Sequence, residues 1–132
     1  NLVTPEGLAR IEAALAQARA AYGAAQAGGD VAQDRTAMAR ATRDLRYWSA
    51  RRASAQLRER DPAVLDVQFG GSVTFDREDG RRQTFRIVGE DEADPAQGSV
   101  SYVSPVARAL LGKGVGDTAL VAGGEVEIVA ID

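Results

Sequence analysis

The chain contains no cysteine and no histidine, and only 5% of its 132 residues are aromatic. The first two absences together remove disulfides, thiolate nucleophiles, zinc centres and every imidazole base, and with them a Ser-His-Asp hydrolase. Any chemistry must run on carboxylates, Lys, Arg or hydroxyls. At 45% hydrophobic, the length suits one compact domain or a small domain plus an extended element, and the shortage of aromatics argues against one large core. There is no run of about 18 apolar residues, which argues against a membrane span. No charged-then-apolar signal segment opens the chain, so a soluble, cytoplasmic protein is expected. The first residue is Asn1, and the native start is expected upstream.

The formal net charge of −3 conceals an asymmetry. Residues 1–60 hold ten Arg against six acids, and residues 61–132 hold six Lys or Arg against thirteen acids. A basic first half suits nucleic acid or an acidic protein surface, and it equally suits the solvated face of long helices.

Thr4-Pro5-Glu6-Gly7 reads as a helix start, with Thr4 as N-cap, Pro5 where a missing N–H costs nothing, and Glu6 at the positive end. The helix is predicted to run to about Ala27. Leu8, Ile11, Leu15, Ala18, Tyr22 and Ala25 recur at alternating spacings of three and four, which is a heptad seam. About 22 residues correspond to roughly 33 Å of helix. Gly28-Gly29 then breaks the chain, and a second helix is predicted from Asp30 to about Arg60, where Asp61-Pro62 stops it. Met38, Ala41, Leu45, Trp48 and Ala55 continue the seam, with Arg52 where an apolar residue is expected. Two such stripes joined by a tight turn fold back as an antiparallel coiled-coil hairpin, Ala-rich and slim in its outer part, spanning residues 1–62 with its tip near 28–34.

From Val64 the pattern changes to period two. Residues 71–75 and 83–88 read as a hairpin around Asp76–Gly80, 99–103 as a further strand, and Pro105–Leu111 as a short helix capped by Ser104 and closed by Gly112. Residues 118–121 and 125–131 are predicted strands around Ala122-Gly123-Gly124. The fold class is α+β: the helical hairpin, then residues 63–132 as a small domain with a mainly antiparallel sheet and one short helix.

Asp30 and Asp34 lie four apart on the first turn of the second helix, so both carboxylates fall on one side and suit a hard cation such as Mg²⁺. Two carboxylates bind it weakly, and other ligands would have to come from a partner. Asp30-x-x-Gln33 also has capping-box spacing, which accounts for the same residues structurally. The two roles are compatible, because one carboxylate oxygen can cap while the other faces outward. The acids from Glu90 to Asp94 read as a solvated turn or a lure for a basic partner. Gly112-Lys113-Gly114-Val115-Gly116-Asp117 lacks the Lys-Ser/Thr pair and the strand-to-helix context of a phosphate loop.

Residues 86–95, the run Ser101-Tyr102-Val103-Ser104-Pro105-Val106-Ala107-Arg108-Ala109-Leu110-Leu111-Gly112-Lys113 and Val115-Gly116-Asp117 resemble the C-terminal domain of the bacterial Gre transcript-cleavage factors. Thr4-Pro5-Glu6-Gly7 and Gly29-Asp30 fit the same family. The resemblance implies an FKBP-like second domain docking at the rim of the secondary channel of bacterial RNA polymerase. It implies a hairpin reaching down that channel, and tip acids that help position Mg²⁺ of the polymerase active site. The polymerase is then the enzyme, the nascent RNA is met only indirectly, and this chain has no cofactor of its own; separately from the resemblance, no membrane partner and a monomeric state are expected.

Carried over by position, Asp30, Gln33 and Asp34 assist catalysis and Asp30 and Asp34 share the metal. Ser104 and Pro105, with Val103 beside them, contact the polymerase. The family tip reads Gly-Asp-x-x-Glu-Asn, so Asp30 is retained, Gln33 is uncharged where Glu stands, and Asp34 falls at the Asn position, about 100° further round the helix. Gln33 keeps the shape of Glu without a charge to attract Mg²⁺ or to orient water. The hairpin also looks shorter than the family's. Weakened cleavage is therefore expected, with a non-cleaving inhibitor as the alternative; a peptide-binding or prolyl isomerase module rests on fold analogy alone.

Overall fold

The computed structural model describes residues 1–28 and 31–132, with the backbone alone for 31–34. The chain divides into two compact units, Asn1 with Leu8–Gln56, and Leu2–Gly7 with Leu57–Asp132.

The first unit is built on helices α1 (Pro5–Gln26) and α2 (Val31–Ser54). The heptad reading holds along both. Ile11, Leu15, Ala18 and Ala41 are buried, and Leu8, Tyr22, Ala25, Met38, Leu45, Trp48 and Ala55 are half-buried, while most intervening residues are exposed. The helices run antiparallel: Glu12 near the start of α1 meets Arg52 near the end of α2 at 3.2 Å, and Ala21 and Ala24 line one depression with Ala37 and Ala41. Arg52, the polar residue in the seam, thus turns outward onto Glu12; with both groups about half exposed, the pair contributes at most about 1 kcal/mol.

α2 ends at Ser54, six residues before the predicted Arg60. The Asp61-Pro62 stop sets only the latest position at which the helix can end. The Ser54 hydroxyl donates back to Ala50 O at 2.9 Å, and the chain then becomes extended. Gln56 N–H donates to Asn1 O at 2.9 Å, so a distant carbonyl takes the donor that a continuing helix would have used. Arg51 closes the same end, its guanidinium donating to Asn1 Oδ1 at 2.7 Å.

In the second unit, Arg58 N–H donates to Val3 O at 2.9 Å. Strands β1 (Leu2–Val3) and β2 (Gln56–Leu57) are short; the main sheet consists of β3 (Ser72–Arg77), β4 (Arg82–Val88), β5 (Ser99–Ser101), β6 (Thr118–Val121) and β7 (Gly124–Ile131), in the order β5-β4-β3-β7-β6. All neighbours are antiparallel except β4 and β5. The parallel pair needs a crossover, supplied by the loop through the 3₁₀ turn at Pro95–Gln97. The β3–β4 turn is tighter than predicted, because Asp76 and Arg77 stay in the strand: Asp76 pairs with Arg82, whose guanidinium meets both carboxylate oxygens at 2.7 and 3.0 Å.

Period-two patterning decides which face packs. Val73, Phe75, Ala119, Val121, Val126 and Ile128 are buried on one face, where Ala107 and Leu110 of helix α3 (Pro105–Leu110) join the core. On the other face Thr74 and Thr84 share a 2.8 Å hydrogen bond. The register shifts between Thr74 and Phe75, which face Ala130 and Ile128, leaving Val129 as a bulge.

β6 and β7 are joined through Ala122 (φ 53°) and Gly123 (φ 79°), a two-residue turn with both centres left-handed. An alanine strains that conformation where asparagine or glycine does not. Ala122→Asn is expected to stabilise the protein by about 0.5–1 kcal/mol, read as an increased urea midpoint.

Candidate functional site

The expected tip lies almost wholly outside the described residues. Asp30 is among the residues not described, and so are the side chains of Gln33 and Asp34, so the capping box and the metal pair have no geometry here. Among the described residues, no group of three or more acids is arranged to hold a metal.

The second group of expected contacts, Val103, Ser104 and Pro105, forms the turn into α3. Ser104 is extended (φ −67°, ψ 154°), and its hydroxyl accepts from Ala107 N–H at 3.2 Å, so the cap read from the sequence is present. Its carbonyl accepts from Arg108 N–H at 3.0 Å, and Val103 N–H donates to Ser101 Oγ at 3.2 Å. Pro105 is exposed and Val103 half-buried. The Ser104 hydroxyl oxygen accepts the cap bond, which leaves its O–H able to donate, and the ring of Pro105 beside it is exposed. The adjoining Gly112–Asp117 loop is held from within, Gly114 N–H donating to Asp117 Oδ2 at 2.8 Å, and from outside, Gly112 N–H donating to Val67 O at 2.9 Å and Gly116 N–H to Ile128 O at 2.8 Å.

Sequence reasoning missed a third group, in which two of the recognised motifs meet. Glu92 was expected on a solvated acidic turn. Its carboxylate instead accepts from the Thr4 hydroxyl at 2.6 Å, from Thr4 N–H at 3.3 Å and from Gly89 N–H at 3.2 Å. Thr4 Oγ1 in turn accepts from Gly7 N–H at 3.0 Å. In a capping box the residue three after the cap returns a carboxylate to the cap's own N–H. That position is Gly7, which has no side chain, and Glu92 supplies the carboxylate from 88 residues away.

The glycines here are required by space. A Cβ on Gly7 would overlap the Glu92 carboxylate, lying 2.6 Å from its Cδ, and a Cβ on Gly89 would lie 2.7 Å from Leu2 O. Beside them the Glu6 carboxyl is held below the usual range, first by its own backbone N–H, against the opposing effect of desolvation, and further by the Arg86 guanidinium. Tyr102 completes the arrangement, its hydroxyl accepting from Leu2 N–H at 3.1 Å while its ring meets Phe69 edge-on at 5.5 Å. The unpatterned Glu in a run of acids carried no local signal of this; only its proximity in sequence to Gly89 hinted at a tight turn.

The described residues form a helical hairpin unit and a unit built on a five-stranded sheet, the latter carrying a helix-capping turn with an exposed proline. Residues 63–132 match the family of transcription elongation factors GreA/GreB, C-terminal part. The transcription elongation factor GreA of Desulfovibrio desulfuricans is 43% identical over 93 residues, which are 69% of this chain and 56% of that protein. GreA of Alkalilimnicola ehrlichii is 47% identical over 79 residues, 54% of this chain and 50% of the relative. Among solved structures, the crystal structure of GreA factor homolog 1 (Gfh1) protein of Thermus thermophilus aligns with a TM-score of 0.46 at 22% identity, covering 99% of this chain and 97% of that one. The chain belongs to the GreA/GreB family, and it spans about half the length of the curated relatives it matches. No helix among the described residues is long and apolar enough to cross a membrane.

Proposed function

We propose that the chain is a Gre-type factor that binds bacterial RNA polymerase at its secondary channel and directs the hairpin tip toward the active site. The observation that carries this reading is the family match over residues 63–132, and the identity to GreA relatives supports it. The α3 turn with Pro105, Ser104 and Val103 is the docking surface. The polymerase performs the hydrolysis, and its Mg²⁺ supplies the two-metal chemistry when bound. Asp30, with Asp34 beside it, adds carboxylate oxygen to that site, and Gln33 adds none.

Cleavage stimulation is accordingly weak. A non-cleaving regulator that competes with active Gre factors is the second reading, favoured by the uncharged Gln33. The test is RNA shortening in stalled, backtracked polymerase complexes. Slow shortening is expected, abolished by Asp30→Ala and raised about tenfold or more by Gln33→Glu. Competition with an active factor, without shortening even at high Mg²⁺, would establish the inhibitor instead. Absence of any binding to polymerase would sink both readings.

A further inference from the structure

The first unit has an open apolar groove along α2 that neither the family match nor the proposed tip chemistry uses. Its volume is about 910 Å³, and its floor is formed by Ala25 of α1 with Met38, Ala39, Thr42 and Ala50 of α2. Among the described residues α1 lines it only with Ala25 and Gln26, and the rest of the lining comes from α2. Tyr47, 47% exposed, stands at the edge, its ring 4.9 Å from that of Trp48.

The border is basic. Arg35, Arg43 and Arg46 line the groove, and among the described residues no acid does. Arg43 has one exposed 3.7 Å contact with Asp44, and no ion pair is formed by Arg35 or Arg46 among the described residues. We propose that the groove docks an acidic amphipathic helix of a partner protein. The apolar floor takes its nonpolar stripe, and the arginines meet carboxylates along the stripe's borders. From Arg35 to Arg46 the helix rises about 16 Å, so the occupant engages over about three turns.

Two other occupants fit less well. RNA would satisfy the arginines through phosphates but would leave Met38, Ala39 and Ala50 against a charged backbone, with Tyr47 as the one stacking surface. A second copy of α2 would set arginine against arginine.

The inference does not rest on the polymerase reading, and it is tested on the full chain without polymerase. The probe is a fluorescein-labelled, designed 18-residue helix with a leucine stripe flanked by glutamates, followed by anisotropy and by Trp48 emission. Saturable binding is expected. Arg35→Glu with Arg46→Glu should weaken it at least about tenfold and confer preference for the same peptide with lysines in place of the glutamates. Ala39→Asp, at an exposed position, should abolish it while the far-UV CD spectrum stays unchanged. Each of four results would overturn the proposal: no saturable binding; equal binding of a scrambled peptide; capture of single-stranded RNA by the same residues in place of the peptide; or self-association of the chain that Ala39→Asp removes.

Discussion

Glu92→Ala is expected to destabilise the second unit by about 3 kcal/mol, far more than a surface acid is normally worth. The substitution removes the acceptor for Thr4 Oγ1–H, Thr4 N–H and Gly89 N–H. Thr4 is 1% exposed and Gly89 is buried, so water cannot readily replace it. Glu92→Gln keeps an acceptor in place but loses the charge, and should cost about 1 kcal/mol.

The diagnostic companion is Gly7→Ala. In an ordinary helix this change stabilises by about 1 kcal/mol. Here the new methyl displaces a carboxylate pinned by three donors, and a loss of about 2 kcal/mol is expected. In the Glu92→Ala background the space is free, so Gly7→Ala should return to a gain. Urea unfolding of the four proteins, followed by amide peak intensities of β3 and β7, gives the cycle. A Gly7→Ala effect of the same sign in both backgrounds would show that Glu92 does not complete the cap.

Phe75→Ala should have a comparable or larger effect, a loss of about 3–5 kcal/mol. Phe75 is wholly buried at the centre of the sheet. It faces Ile128 across the β3–β7 pair, its ring lies 6.0 Å from Phe85, and the Arg77 guanidinium stands 5.6 Å above it. Its neighbours in the core, among them Ile87, Leu110 and Ile128, are themselves fully buried and held in the close-packed cluster, so the space is not readily filled. Phe75→Leu should cost about 1.5 kcal/mol or less, because most of the volume is kept. The same amide intensities read both, and Trp48, which belongs to the first unit, serves as a separate reporter. A Phe75→Ala loss below about 1 kcal/mol would mean that the core repacks around the vacancy, contrary to the density expected of it.

The elements that were legible in the sequence are those specified by neighbours within one or two turns. The seam from Leu8 to Ala25 is read from a spacing of three and four, and the strands β3, β4, β6 and β7 from alternation. The α3 cap is read from Ser104-Pro105, and each of these elements is present within one or two residues of its expected bounds. Local rules failed where the deciding partner is far along the chain. The end of α2 at Ser54 goes with the Asn1 carbonyl that captures Gln56 N–H. The role of Glu92 depends on Thr4 and on the space above Gly7.

Composition and periodicity are properties of the chain, and from them alone follow a helical first half and a strand-rich second, their opposite charge and the exclusion of thiol and imidazole chemistry. It took the folded chain to make one acid among several in a run a structural partner of Thr4 and Gly89, and to set a basic-edged apolar groove along α2. Both depend on distances between residues that no local pattern encodes: a carboxylate becomes a cap only where folding brings buried donors to it, and a groove exists only where small side chains are set against large ones.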